Sequence, residues 1–262
     1  MDEVDTQYKR PTTVFNITLP CEKQRPIIVP FSDMHIGSRE FKREEFEKNL
    51  QWCYDNKNVY VIGNGDWIEC ATRDSVGAGV YDQKMPAQKQ IDQVIEYFEP
   101  LAKQGRLIAI SPGNHENRVY KSTGVDIVKN MAAMLDVPYF TEGAFFKIHV
   151  GTQNYHMYMT HGASNATLPY TKIKGCLDLA RFIRADIYAM GHVHDLQTHT
   201  QTFYEIDNRG SMLREKEVYF ILTGHYLDWN SSYAQQKSMM PSKTGTPKIK
   251  LSGDKHQIRV SI

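Results

Sequence analysis

The sequence predicts a layered α/β protein. Three observations carry that prediction: short apolar runs rich in β-branched and aromatic residues, helical apolar stripes alternating with them through the first half, and a second half dominated by further runs of the strand type.

In chain order, TVFNITL (13–19) and PIIVPF (26–31) read as strands. A helix follows, because Phe46, Leu50, Cys53 and Tyr54 recur at helical spacing and make one apolar stripe. NVYVIG (58–63) is the next strand, and Ile91, Val94, Ile95 and Phe98 mark the next helix. RLIAI (106–110) is a strand that empties into SPGNHENR, where Pro112, Gly113 and Asn114 read as a sharp turn. Ile127, Met131, Met134 and Leu135 mark a helix, AFFKIHV (144–150) and NYHMYMT (154–160) two strands, and Ile173, Cys176, Leu177, Ala180 and Ile183 a further helix. DIYAMG (186–191), QTHTQTFYEI (197–206), EVYFILT (217–223) and HQIRVSI (256–262) complete the strands. Two irregular stretches, 74–86 and 228–247, are long enough to suggest functional loops. Residues 1–11 read as a flexible arm and 12–262 as one domain, with a basic loop near 228–250 carrying Lys237, Lys243, Lys248 and Lys250 beside Trp229 and Tyr233.

The chain has 262 residues, 41% of them hydrophobic, which suffices for a substantial core. A formal charge of +1 gives no global attraction to polyanions, so such a partner must be held by a local site. Cys21, Cys53, Cys70 and Cys176 form no CxxC pair and read as reduced thiols. No apolar leader or membrane-length apolar window is present, and the expectation is a cytoplasmic protein with no membrane partner. A homodimer stays open.

Five of the strands end in polar clusters: SDMHIG with Asp33 and His35, NGDWIE with Asp66 and Glu69, SPGNHE with Asn114 and His115, HGAS with His161, and GHVHD with His192 and His194. A single histidine is more often a satisfied polar residue than a ligand, but five of the ten histidines fall at strand ends, where ligands of layered α/β folds gather. Carboxylates with imidazoles and no thiols suit Mn, with Fe, Zn or Ni as alternatives, better than a structural zinc or a pure Mg site. Asp33, His35, Asp66, Asn114, His161, His192 and His194 are too many donors for one ion; two ions sharing one carboxylate would use all seven.

The ordered blocks Asp33-Met34-His35, Gly65-Asp66-Trp67-Ile68-Glu69, Gly113-Asn114-His115-Glu116, His161 and Gly191-His192-Val193-His194 resemble those of the calcineurin-like metallophosphoesterases. The resemblance implies a four-layer α/β/β/α sandwich of two mixed sheets. It also implies one metal on Asp33, His35, Asp66 and His194 and a second on Asp66, Asn114, His161 and His192, with Asp66 bridging. His115 is then a catalytic non-ligand that stabilises transition-state charge or protonates the leaving alkoxide, and Asp33 has a second task in orienting it. Glu116 is expected to be a supporting carboxylate, and His225, Lys237 and Lys243 are candidate substrate contacts.

Serine/threonine phosphatases of the family place phosphate-clamping arginines where this chain has Pro112 and Cys70, and its lipid-A hydrolases place arginine where it has His115. SDMHIGS with an intact Gly-Asn-His looks more like the phosphodiesterase and DNA-repair nuclease members. The expected substrate is therefore a phosphodiester, DNA or RNA in particular. A phosphomonoesterase, a cyclic-nucleotide phosphodiesterase and a non-catalytic scaffold of the same fold are the alternatives.

Overall fold

Two sheets stack face to face in the computed structural model of the chain, which describes residues 13–21, 25–72, 81, 83–206, 210, 212–230, 235 and 240–262. The expected arm at 1–11, most of the first irregular stretch, Tyr233 and Lys237 lie outside the described residues. In chain order the elements are β1 (Thr13–Leu19), β2 (Ile27–Phe31), α1 (Arg43–Asp55), β3 (Val59–Asn64), α2 (Ala87–Ala102), β4 (Leu107–Ser111), α3 (Asn114–Thr123) and α4 (Ile127–Leu135). Then come β5 (Gly143–Val150), β6 (Gln153–Thr160), α5 (Pro169–Asp178), β7 (Ile187–Met190), β8 (Leu196–Ile206), β9 (Leu213–Thr223), β10 (Lys248–Leu251) and β11 (Ile258–Ser261).

One sheet has the order β1-β5-β6-β7-β9-β8 and the other β11-β10-β2-β3-β4. Both are mixed: β2, β3 and β4 run parallel, as do β6, β7 and β9, while hairpins such as β5–β6 and β8–β9 are antiparallel. Strand alternation sends Ile28 and Ile62 inward against Phe146, Ile148, Met157 and Ile221 of the facing sheet. Val29, Phe31 and Val61 point the other way, onto Phe46 and Leu50 of α1, Val94 and Phe98 of α2 and Met131 of α4. A third cluster joins Tyr188 and Phe220 to Cys176 of α5 on the outer face of the first sheet. Three apolar seams separate four layers, which is the predicted α/β/β/α sandwich.

The helices form where their stripes were read, and local chemistry fixes their ends. Glu44 and Glu45 oppose the dipole in the first turn of α1, Asp126 caps α4 by accepting the Lys129 N–H at 2.9 Å, and Pro169 opens α5. Three expectations need correction. GNHENR is not only a turn: Gly113 ends it and Asn114 starts α3. Met134 faces outward at 61% exposure. Lys248 and Lys250 belong to β10, not to a loop, and β10 pairs with Ile27 and Ile28 at the start of β2, the end remote from Asp33. Lys248 lies over the Trp52 ring instead. All four cysteines are free, and no helix among the described residues is long and apolar enough to cross a membrane.

Candidate metal centre

Because the two parallel sets of strands end on the same side, the turns after β2, β3, β4, β6 and β7 meet at one edge of the sandwich. The first two are joined directly: Asp33 N donates to Gly65 O at 3.0 Å, and Met34 N and His35 N both donate to Asp66 O at 2.9 and 3.0 Å. Asp33, His35, Asp66, His192 and His194 all have left-handed backbone, with φ between 47° and 69°. Among the described residues only Cys70 and Asp136 share that conformation without being glycine. Non-glycine residues there cost of order 1–3 kcal/mol each and persist where the surroundings over-determine them.

The glycines act mainly by letting chains approach. A Cβ on Gly113 would lie 2.1 Å from Asp66 Oδ1 and 2.3 Å from Asp66 N, although the φ of Gly113 is an ordinary −105°. Its role is close contact and not the sharp turn expected from sequence. Gly65 needs both properties, with φ +83° and a Cβ position 2.6 Å from His161 Nδ1.

The side chains converge in two overlapping sets. Asp33, His35, Asp66 and His194 bring one donor atom each within 4.8 Å of one another, and so do Asp66, His161 and His192. In the first, His35 Nε2 faces His194 Nε2 at 3.1 Å and Asp66 Oδ2 at 3.6 Å, and His194 Nε2 lies 3.2 Å from Asp33 Oδ1. In the second, His161 Nε2 lies 3.4 Å from Asp66 Oδ2, while Asn114 Oδ1 lies 3.2 Å from His161 Nε2 and 2.7 Å from His192 Nδ1. Ligands about 2.0–2.2 Å from one ion stand about 3.0–3.5 Å apart, so these spacings fit a divalent cation in each set. Tautomers agree: His161 Nδ1 donates to Asn64 O at 2.7 Å, which leaves its Nε2 lone pair facing inward.

Electrostatics point the same way. Burial opposes a proton on His161, yet the charges of Asp66 and Asp33 and a hydrogen bond to Asp66 push the imidazole up to about 10. Burial likewise works to raise Asp33 and Asp66, but the neighbouring imidazoles hold both carboxyls well below the usual carboxylate range. A divalent cation would meet the same negative potential.

The Glu116 carboxylate is buried under the site and accepts three backbone N–H groups, from Asp66 at 3.1 Å, Ile68 at 3.1 Å and Gly113 at 2.8 Å. It clamps the turn after β3 to the first turn of α3. Burial and the charge of Asp66 raise its pKa to about 6.

His115 stands at the rim, its Nε2 3.9 Å from Asp66 Oδ2. Its Nδ1 donates to Glu69 O at 2.8 Å, and its Nε2 accepts from Arg118 Nη2 at 2.9 Å. Asp33, expected to orient His115 through a hydrogen bond or a water, makes no direct bond to it; it accepts the His192 N–H at 3.0 Å and faces His194. Glu69 Oε2 accepts from His35 Nδ1 at 3.1 Å. Burial works to raise its carboxyl, but the bond to His35 and the charges of His35, His115 and Arg118 lower it to about 2. Donor atoms of His35, Glu69 and His115 also lie within 4.8 Å of one another. A third cation would meet the Arg118 guanidinium and nitrogens already donating protons, so this group orients the others.

His225 is not exposed to a substrate. Its ring stacks on His194 at 5.4 Å and is buried, its Nδ1 accepts the Leu227 N–H and its Nε2 donates to Ser242 Oγ at 2.9 Å, which in turn donates to His194 O at 2.8 Å. Burial, then the charge of His194, drives its pKa well below the ordinary imidazole value. Lys243, next to Ser242, is exposed at the rim. Arg118, Ser242 and the orienting part of Glu69 were not found by motif reading; the i to i+4 spacing of Asn114 and Arg118 was the available signal.

The model of the calcineurin-like phosphoesterase family matches residues 28–227. The DNA polymerase II small subunit of Thermoplasma acidophilum is 31% identical over 107 residues, covering 36% of this chain; the chain spans 20% of that relative's length. Among solved structures, Vps29 of Entamoeba histolytica complexed with zinc aligns with 90% of this chain and 97% of its own, at 13% identity and TM-score 0.43. A metallophosphoesterase of Sphaerobacter thermophilus covers 90% of this chain and 87% of its own, at 12% identity and TM-score 0.37. The family match runs from the strand before Asp33 to just past His225, and the chain belongs to the calcineurin-like phosphoesterase family.

Proposed function

We propose that the chain is a dimetal-dependent phosphoester hydrolase that prefers phosphodiesters, those of nucleic acid in particular. The observation that carries this reading is the pair of overlapping donor sets that share Asp66. One ion would be held by Asp33, His35, Asp66 and His194, the other by Asp66, Asn114, His161 and His192. Two such ions, with Mn the preferred activator, would acidify a water and draw charge from phosphoryl oxygens.

The chain's own groups do the rest. Glu116 fixes the Asp66 backbone by accepting its N–H, the His115 N–H holds the Asp66 carboxylate through Oδ1, and Glu69 fixes the ring of His35. His115 lies beside both donor sets without belonging to either, where a leaving oxygen gains from a nearby imidazole; acting as its acid requires the proton on Nε2, the nitrogen that Arg118 faces.

The diester preference follows from charge. Pro112 and Cys70 supply neither of the two arginines that a monoester dianion would gain from, whereas a diester carries one negative charge. The relationship to a protein named as a DNA polymerase subunit and the exposed Lys243 at the rim support nucleic acid; Lys248 and Lys250, remote on β10, do not contribute. The test compares kcat/KM for bis-p-nitrophenyl phosphate and p-nitrophenyl phosphate with Mn, then follows labelled single-stranded DNA and a cyclic nucleotide. The diester is expected to win and the oligonucleotide to be cut. A higher value for the monoester would remove the diesterase reading, and an intact oligonucleotide beside a hydrolysed cyclic nucleotide would remove the nuclease.

A further inference from the structure

The two positions at which sequence reading looked for a phosphate-binding arginine are closed. Pro112 is buried, and Cys70 is buried with its N–H on Gln90 Oε1 at 2.9 Å. A guanidinium reaches the site by another route. Asn114 and Arg118 are four residues apart on α3 and so share a face of that helix, with His115 three residues before Arg118 and also within reach. Arg118 Nη2 donates to His115 Nε2 at 2.9 Å, and that nitrogen is 3.9 Å from Asp66 Oδ2, the oxygen common to the two donor sets. The positive charge also reaches Glu69 and Cys70, the stretch where the missing arginine would stand.

His115 accepts from Arg118 only because its other nitrogen donates to Glu69 O, so the imidazole holds the guanidinium toward the metal side. A phosphoryl oxygen offers a stronger, charged acceptor to the same planar fork. Resting on the hydrolase reading above, we propose that Arg118 is a substrate-binding residue: it grips a non-bridging oxygen of the phosphoryl group, in place of the clamp the motif pattern lacks. A single guanidinium matches a singly charged diester. Transfer of its N–H from His115 Nε2 to that oxygen also releases the nitrogen that must carry a proton toward the leaving group.

The test uses Arg118→Ala and Arg118→Lys in the metal-loaded protein, with kcat/KM on bis-p-nitrophenyl phosphate, metal content, and the affinity for inorganic phosphate by calorimetry. Arg118→Ala is expected to keep its metals, to lose roughly 10²-fold in kcat/KM, and to bind phosphate at least about 10-fold more weakly. A guanidinium salt below denaturing concentration should restore part of the rate, and Arg118→Lys should fall between alanine and the parent. Unchanged kinetics and phosphate affinity in Arg118→Ala would overturn the proposal; so would loss of metal in both variants, which would make Arg118 a structural support. If the parent hydrolyses neither ester yet binds phosphate through Arg118, the hydrolase reading fails and the oxyanion contact stands.

Discussion

The Asp66 carboxylate divides its two oxygens: Oδ1 accepts the His115 backbone N–H at 2.9 Å, while Oδ2 faces His161 and His35 at 3.4 and 3.6 Å. An amide in its place would present an N–H₂ to one side and could not serve two cations. Asp66→Asn is therefore expected to lose metal, by elemental analysis, and to lose turnover with it. His115→Ala keeps the backbone N–H that holds Asp66, so metal content should stay and the rate should fall ~10²- to 10⁴-fold, less for substrates with good leaving groups. Loss of metal in His115→Ala would show that the roles are misassigned. The converging donor residues were legible in sequence because metal chemistry admits few side-chain types. Glu69, Arg118 and Ser242 were not, because their tasks depend on where a ring nitrogen or a carbonyl points after folding.

At the scale of elements, strands and core helices announced themselves by period, and the two missed elements lacked one. α3 has no apolar stripe; its buried residue is Glu116, whose partners lie in the turn after β3. β10 reads KIKL, four residues whose lysines suggested a loop. The end of the sheets away from the two donor sets has its own polar anchor. Asp186, just before β7, is buried and holds three neighbours: it accepts the His156 N–H at 2.7 Å from β6, pairs with Lys216 of β9 at 3.0 Å, and lies 3.7 Å from His256. Burial works to raise its carboxyl, but the bonds from His256, the His156 N–H and Lys216 outweigh it and hold it below the usual range. A carboxyl depressed in the folded state stabilises above its unfolded pKa of about 3.9, and that contribution is lost as pH falls below it. Asp186→Asn should cost about 1–2 kcal/mol in urea unfolding near neutral pH and less at about pH 3. An equal cost at both would contradict the account.

For the molecule as a whole, the sandwich gathers five strained residues and a dense set of imidazoles and carboxylates at one edge, an arrangement that two cations would balance. A layered α/β class was legible in the alternation of strands and stripes, and the four-layer order followed only from the resemblance of the motifs; no local pattern specifies the contacts, such as Ile28 with Phe146, that face one sheet on the other. The most direct test of the dimetal claim is elemental analysis of the purified protein, paired with diester turnover before chelation, after chelation and after Mn is restored. The account predicts about two divalent ions per chain, with turnover abolished by chelation and regained with the metal. Full turnover in thoroughly chelated protein, or a chain that binds no divalent ion, would contradict it.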